Sequence, residues 1–473
     1  MLFTSFRFLL LFLPACLFVA TKLKGQALLA WLFLSSLVFY ALEGQPWFLI
    51  PMLITTVLDY FVALGMEKME TARRKRLLLG VSLCGNLGLL FYFKYAGFFL
   101  RTMEAILSPF HLSLSSTSWA AVFDVVLPAG ISFYTFQTLS YILDVYRGQT
   151  HAERNFWKFA SFVSFFPHLV AGPLTRHDQL IPALGEISDK GITPRWEEGV
   201  FLFVVGLCKK ILVADWFGNR VDHLLLDPAS LHSGTAWLAA VGYGMQMYFD
   251  FSGYSDMAIG LGRLFGIELP QNFNSPYQAR NPSDFWGRWH ITLSLWLRDY
   301  LFYPIYFEMD RETNHRLKLV VSLFVTMLLG GLWHGAHWTF ALWGLYNCFL
   351  LLLYYQFKDH WDRWNLSIQR GVTFTLITLS WIFFRSSSFL MIKQWGSALW
   401  KINPPGYLSI TPLLWPIFLA SSVAVIGVNL FPNASSYQGF KTLRTCYQIG
   451  LGVLCVFAIL CMNFPSKFLY YQF

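Results

Sequence analysis

The chain has 473 residues, of which 56% are hydrophobic and 13% charged, and it carries 47 Phe and 19 Trp. An average soluble protein is about 25% charged. Apolar runs of about 20 residues recur between short charged loops, which excludes a soluble enzyme and describes an all-α polytopic membrane protein of about 11–13 membrane segments, re-entrant and interfacial helices included. The net charge of +9 is not a nucleic-acid signal, because the basic residues lie in loops, as cytoplasmic loops of membrane proteins require.

The seven cysteines are scattered through apolar runs with no CxxC pair. They read as small apolar residues, and no metal site is expected. The first apolar run follows Arg7 and ends before Lys22 and Lys24 without a small-x-small cleavage site. It is expected to be an uncleaved first span.

Spans are predicted over residues 6–20, 27–43, 46–66 and 77–100. The loop holding Lys68, Arg73, Arg74, Lys75 and Arg76 is then cytoplasmic, as are Lys22 and Lys24. The Ser-rich stretch 101–122 faces outward. Residues 125–146 carry Pro128, Gly130, Ser132, Thr135, Gln137 and Ser140, too polar for lipid, and are expected to line an interior cavity. Residues 159–169 are too short to span and precede Gly172-Pro173, the pattern of a re-entrant segment.

A span over 197–216 contains Lys209 and Lys210. The apolar stretch 235–262 contains Asp250, Tyr254 and Asp256, with Lys209, Lys210 and Arg263 as candidate ion-pair partners. A loop with Asn272, Asn274, Pro276 and Pro282 leads to residues 286–303, read as one amphipathic interfacial helix. Trp289, Leu293, Trp296 and Leu297 take one side, and Arg288, Arg298 and Asp299 the other. Further spans are expected near 370–384, 411–431 and 446–463. No inverted repeat of the transporter kind is present.

Residues 319–357 contain no Asp, Glu, Lys or Arg over 39 positions. One straight helix of that length would measure roughly 58 Å, nearly twice the roughly 30 Å hydrocarbon core, so the stretch must break. The break is expected at Gly330-Gly331-Leu332-Trp333-His334-Gly335-Ala336-His337-Trp338. An ionisable group at membrane depth is costly and marks function. His334 lies 16 residues beyond Lys318, about 24 Å along a helix and past the midplane. There it reads as a general base for an acceptor hydroxyl, or as a histidine bonded to a carbonyl freed by the break. The flanking glycines favour the base. His337 would share its face on an intact helix, but no third metal ligand is near. His290, with Ser294 four residues on, reads as a proton acceptor or orienter at the cytoplasmic mouth, or as a polar member of an aromatic belt with Trp286 and Trp289. Arg288 and Arg298 could hold donor phosphates or lipid headgroups.

Longer motifs resemble a known family. Residues 128–137 (PAGISFYTFQ), 170–176 (VAGPLTR), 250–260 (DFSGYSDMAIG) and 272–277 (NFNSPY) match its signatures in order, as do 285–300 (FWGRWHITLSLWLRDY) and 331–344 (GLWHGAHWTFALWG). Tyr470-Tyr471-Gln472-Phe473 is like its aromatic ending. The chain is identified by this resemblance as a member of the membrane-bound O-acyltransferase (MBOAT) family, in the bacterial branch of the alginate O-acetyltransferase membrane subunit. The resemblance covers residues from about 77 onward. It implies one integral-membrane domain over 1–473, with N-terminal spans to 76, a motif-bearing core over 77–400 and C-terminal spans over 401–473. It also implies a ring of helices around a central tunnel entered from the cytoplasm, in the cytoplasmic membrane of a bacterium.

The resemblance makes His334 the catalytic histidine and His290 the second one. It draws Gln137, Asp250, Tyr254, Asp256, Asn274, Trp286, Arg288, Trp289, Ser294, Arg298, Asp299, Trp333 and His337 into the substrate tunnel. It implies no resident cofactor. The donor would be acetyl-CoA or another acyl thioester, and the acceptor an exported, alginate-like polysaccharide or an SGNH-hydrolase-like extracytoplasmic partner. Two departures bear on the partner surface or acceptor: residues 302–308 read FYPIYFE where YIPLGG is common, and Asn347 stands where a histidine is common. The alternatives are D-alanyl transfer to teichoic acid, acylation of a lipid or protein, and a proton-coupled transporter or polysaccharide-export component.

Overall fold

The computed structural model describes residues 2–42, 45–110, 126–310, 312–402 and 445–462, with isolated residues between 416 and 433. The span expected over 411–431, apart from those isolated residues, lies outside the described residues. So do the terminal Tyr470–Phe473 and positions 111–122 of the Ser-rich stretch. Every regular element among the described residues is helical, the form in which a chain satisfies its own backbone in lipid. Among the described residues, five helices are long and apolar enough to cross a membrane: Pro46–Lys68, Ala72–Phe110, His315–His334, Trp338–Trp361 and Leu366–Arg385. The chain is an all-α, multi-pass membrane protein.

Contacts divide it into two compact units, Met1–Val200 with Met257–Pro270, and Phe201–Asp256 with Gln271–Phe473. The first holds α1 (Leu13–Ala20), α2 (Gly25–Ala41), α3 (Leu49–Lys68), α4 (Ala72–Leu90), α5 (Ala96–Leu107), α6 (Ile131–Tyr146), α7 (Phe156–Ser164) and α8 (His177–Lys190). Lipid offers no hydrophobic drive between helices, so polar contacts and close packing specify the arrangement. Asp59 of α3 is fully buried. Its carboxylate accepts from Ser82 Oγ at 2.5 Å and from Asn86 Nδ2 at 2.8 and 3.0 Å, both on α4. Thr138 of α6 donates to Asn86 Oδ1 at 3.2 Å, so one polar knot joins three helices. Gln137 donates to the Phe162 carbonyl at 2.8 Å and to Thr175 Oγ1 at 3.1 Å. The segment expected to be re-entrant turns at Phe165, between α7 and the short helix Phe166–Leu169.

In the second unit, α9 (Trp196–Cys208), whose first residues belong to the first unit, runs through a π-helical turn, Lys209–Ala214, into α10 (Asp215–Leu224). The long α11 (Ser233–Leu264) follows. Lys210 Nζ lies 2.8 Å from Asp250 Oδ1 and 2.6 Å from Asp215 Oδ1, while Lys209 Nζ lies 2.6 Å from Asp256 Oδ2. Of the cations expected to pair with the two α11 acids, Arg263 instead pairs with Glu198 at 3.2 Å.

Residues 286–303, expected to be one amphipathic helix, are not one. The chain forms α12 (Pro282–Trp286), turns through the left-handed region at His290 (φ 44°), and resumes as α13 (Ile291–Leu297). A π-helical turn, Arg298–Phe302, leads to α14 (Tyr303–Glu308). Backbone bonds explain the interruption: Asn274 N–H donates to the Arg288 carbonyl and Ile291 N–H to the Asn272 carbonyl, each at 2.9 Å, so the 272–274 segment captures groups a continuous helix would use itself.

The charge-free stretch does break, at Gly335–His337, between α15 (His315–His334) and α16 (Trp338–Trp361). Asn314 caps the entry to α15 by accepting from Arg316 N. α17 (Leu366–Arg385), α18 (Phe389–Ala398) and α19 (Thr445–Cys461) complete the described helices.

Candidate active site

His334 is the last residue of α15, and its side chain is buried. Three aromatic rings meet its imidazole edge to face: Trp333 at 5.0 Å, Trp343 at 5.1 Å and Phe384 at 5.2 Å between centroids.

His334 lines a cavity of about 250 Å³ contained within the second unit. On α15 the lining residues are Leu323, Thr326, Met327, Gly330 and His334, a stripe of helical spacing. From Leu323 to His334 the stripe covers about 16 Å at the helical rise. α16 supplies Trp343, Leu351 and Tyr355, α12 supplies Trp286, and α13 with the following turn supplies Leu293, Ser294, Leu297, Arg298 and Phe302. The lining is mostly apolar. Three buried donors face this region without a hydrogen-bond partner among the described residues: Trp286 Nε1, Trp343 Nε1 and Thr326 Oγ1. Each such group costs about 1–3 kcal/mol when left unmade. Donors held dry and uncommitted beside a histidine suit a carbonyl-bearing ligand.

The second histidine stands apart from the cavity lining. His290 is buried, with its Nδ1 3.1 Å from Asn272 Oδ1 and its ring 4.6 Å from that of Phe251. Burial pushes this imidazole down to about 3, so it is neutral at physiological pH. The indole of Trp333 contacts both imidazoles, His334 at 5.0 Å and His290 at 6.1 Å.

The remaining candidates separate clearly. Trp286, Ser294, Arg298 and His334 share the cavity. Arg288 does not: its Nε is bound to Asp284 at 2.7 Å and its Nη1 to the Asn274 carbonyl at 3.2 Å. Arg298 is paired with Asp299 at 2.7 Å and is the one arginine on the lining. Trp289 packs on Phe285 and Trp381, at 5.6 and 5.0 Å. Asn274 bonds Asn433, and Asp250 and Asp256 hold the two lysines. Tyr254 is buried within α11. Gln137, in the first unit, serves as a joint and is not on the lining.

His337 does not share a helical face with His334, because the helix ends between them. It is the N-cap of α16, its Nδ1 accepting from Thr339 N–H at 3.3 Å. No cluster of metal-binding side chains occurs among the described residues. Of the lining, sequence reasoning did not single out Thr326 or Met327, named Gly330 only as part of the break, and did not single out Trp343 or Tyr355. The first three were marked by their spacing of four to eight residues before His334, on the same helical face.

The sequence model of the MBOAT, membrane-bound O-acyltransferase family matches residues 153–391, which contain both histidines and the whole cavity lining. A probable alginate O-acetylase AlgI of Azotobacter vinelandii is 37% identical, over 91% of this chain and 86% of its own length. A peptidoglycan O-acetyltransferase of Helicobacter pylori is 32% identical over 94% of this chain and 91% of its own. A teichoic acid D-alanyltransferase of Bacillus subtilis is 28% identical over 55% of this chain. A family match over half of the chain, with relatives more than 30% identical along most of it, makes the chain a member of the membrane-bound O-acyltransferase family and a multi-pass membrane enzyme that transfers acyl groups to oxygen.

Proposed function

We propose that this enzyme moves an acetyl group from a cytoplasmic thioester, acetyl-CoA or another acyl thioester, for O-acetylation of an exported, alginate-like polysaccharide. The observation that carries the reading is His334 on the lining of a mostly apolar cavity of about 250 Å³, with uncommitted donors on other lining residues. Such a cavity suits a slender thioester arm better than a bulky donor.

In this reading His334 takes the proton of an acceptor hydroxyl as its oxygen attacks the thioester carbonyl. The tetrahedral intermediate then collapses, the carbon–sulfur bond breaks, and the proton passes from His334 to the departing sulfur. The indole N–H of Trp286 or Trp343 and the Thr326 hydroxyl stabilise the developing oxyanion. His290 assists on the donor side. The acceptor is a sugar hydroxyl or the hydroxyl of an SGNH-hydrolase-like partner outside the cytoplasmic membrane of a bacterium. The polysaccharide named in the relatives supports this acceptor. The teichoic acid D-alanyltransferase of Bacillus subtilis matches little more than half of the chain.

The test is the O-acetyl ester content of surface polysaccharide in a strain lacking the gene, complemented with wild type or His334→Ala at matched membrane abundance. Esters restored by wild type alone are expected. Esters restored equally by the alanine variant would remove His334 from the chemistry. No ester change on deletion would remove the polysaccharide.

A further inference from the structure

Asn272 is almost fully buried and makes more directed contacts than packing requires. Its Oδ1 accepts from Thr292 N–H at 3.3 Å and from Thr292 Oγ1 at 2.8 Å, and lies 3.1 Å from His290 Nδ1. Its Nδ2 donates to Ser255 Oγ at 3.3 Å, and its backbone carbonyl accepts from Ile291 N–H at 2.9 Å. The Thr292 amide can only donate, so the atom facing it is the oxygen of the Asn272 side chain. An amide oxygen can only accept, so the hydrogen shared with the imidazole belongs to His290 Nδ1. His290 itself sits at φ 44°, ψ 52°, a region that non-glycine residues rarely occupy. Such a conformation persists where its surroundings over-determine it, characteristically at functional sites. Bonds from one residue to the side chain of His290 and to the amides of the next two residues supply that determination.

We infer that Asn272 is a positioning residue for acyl transfer: it holds His290 as the Nδ1–H tautomer, which leaves Nε2 as the ring nitrogen that accepts a hydrogen bond within the transfer machinery. This inference rests on His290 belonging to the transfer machinery. The rings packed on His290 are Phe251, Phe273 and Trp333, none of them charged. The charges nearest along those segments are committed: Asp250 to Lys210, and Arg288 to Asp284. His334, adjoining Trp333, is the other titratable group. Low basicity from burial keeps His290 neutral, the state in which tautomer choice matters.

Two measurements on the full-length protein in detergent test it. The first is the ¹⁵N spectrum of histidine-labelled protein, with the His290 signals identified by their loss in His290→Phe. A neutral ring protonated on Nδ1 is expected. A neutral ring protonated on Nε2 would overturn the inference without touching the reading of His334. The second is the titration of the His290 signals in the same spectra, with acetyl transfer at neutral pH beside it. Asn272→Asp keeps the acceptor and the shape but places a negative charge beside the imidazole, which raises its basicity. The His290 midpoint should then move up by about one pH unit or more, with transfer retained above it. Asn272→Leu removes the acceptor and should lower turnover about 10²- to 10⁴-fold, as loss of a tautomer-setting partner does in other enzymes. An unmoved His290 midpoint in the folded aspartate variant would overturn the inference. Wild-type transfer by His290→Phe would overturn it through the reading it rests on, even with the expected tautomer in the spectrum.

Discussion

Gly331 and Gly344 meet backbone to backbone where α15 crosses α16. A Cβ on Gly331 would lie 2.3 Å from the Phe340 carbonyl and 3.1 Å from the Cα of Gly344, and one on Gly344 would lie 2.2 Å from the Met327 carbonyl. The contact sits one turn before His334, so it sets where the imidazole stands. Gly344→Ala must push the two backbones apart and is expected to cost about 1–3 kcal/mol of stability. Displacement of a reacting group by about 1 Å typically costs about 10²-fold in rate, so transfer should fall further than folding does. Thermal unfolding in detergent and transfer per folded molecule measure the two losses. Gly371→Ala, with nothing within 4 Å of its added Cβ, is the control and should be stable.

The Asp59 knot makes the opposite prediction. Asp59→Ala leaves Ser82 and Asn86 without their acceptor, and each orphaned group costs about 1–3 kcal/mol. The melting temperature should fall while the KM for the thioester stays at the wild-type value. A changed KM at unchanged stability would refute a purely architectural role for the knot.

Lys210 lies between the carboxylates of Asp250 and Asp215. Lys210→Met strands both acids, and breaking a buried pair in this way costs about 3–5 kcal/mol. The yield of folded protein should drop sharply and recover in part when Asp250→Leu is added. A double variant no better than the single one would show that the acids are sufficiently hydrated without the lysine.

Stability should also depend on pH through His290. Its folded value, about 3, lies below the 6.5 of an unperturbed histidine. Between those values the unfolded chain binds more protons, so stability rises with pH across the window. The contribution is complete above about 6.5 and is lost as pH falls toward about 3. Melting temperatures recorded from pH 7 down to pH 4 should decline, and decline less steeply in His290→Phe. Equal slopes would argue against a neutral, buried imidazole in the fold.

How much of this was legible in the sequence differs from residue to residue. The break near His334 followed from length alone, because 39 charge-free residues cannot cross the bilayer once as a straight helix. Trp286, Ser294 and Arg298 were named with His334 and share its cavity. The two-turn stripe through Thr326 and Gly330 was present in the spacing and went unread. The left-handed turn at His290 was not legible, because no glycine marks it and its cause, Asn272, stands 18 residues away. His337 was put on the His334 face only for an intact helix, and its actual place was not legible for a related reason. Its position relative to His334 depended on where the helix stopped, and Thr339, which it caps, becomes relevant only after the stop is known.

The collar of Trp333, Trp343 and Phe384 around His334 has an electrical consequence. A membrane that stores energy as a proton gradient spends about 2.3 kcal/mol for each charge crossing 100 mV. A hydrated passage with a histidine partway along it would be a proton wire and would drain that store whenever the enzyme was idle. Two indoles and a phenyl ring, with centroids within 5.2 Å of the imidazole, cover part of it with apolar surface, and under the proposed function the acceptor hydroxyl is the proton source it meets during turnover. Under the proposed function, the same side chains that hold the base would also let an acyl group pass across a charged membrane without a proton following it.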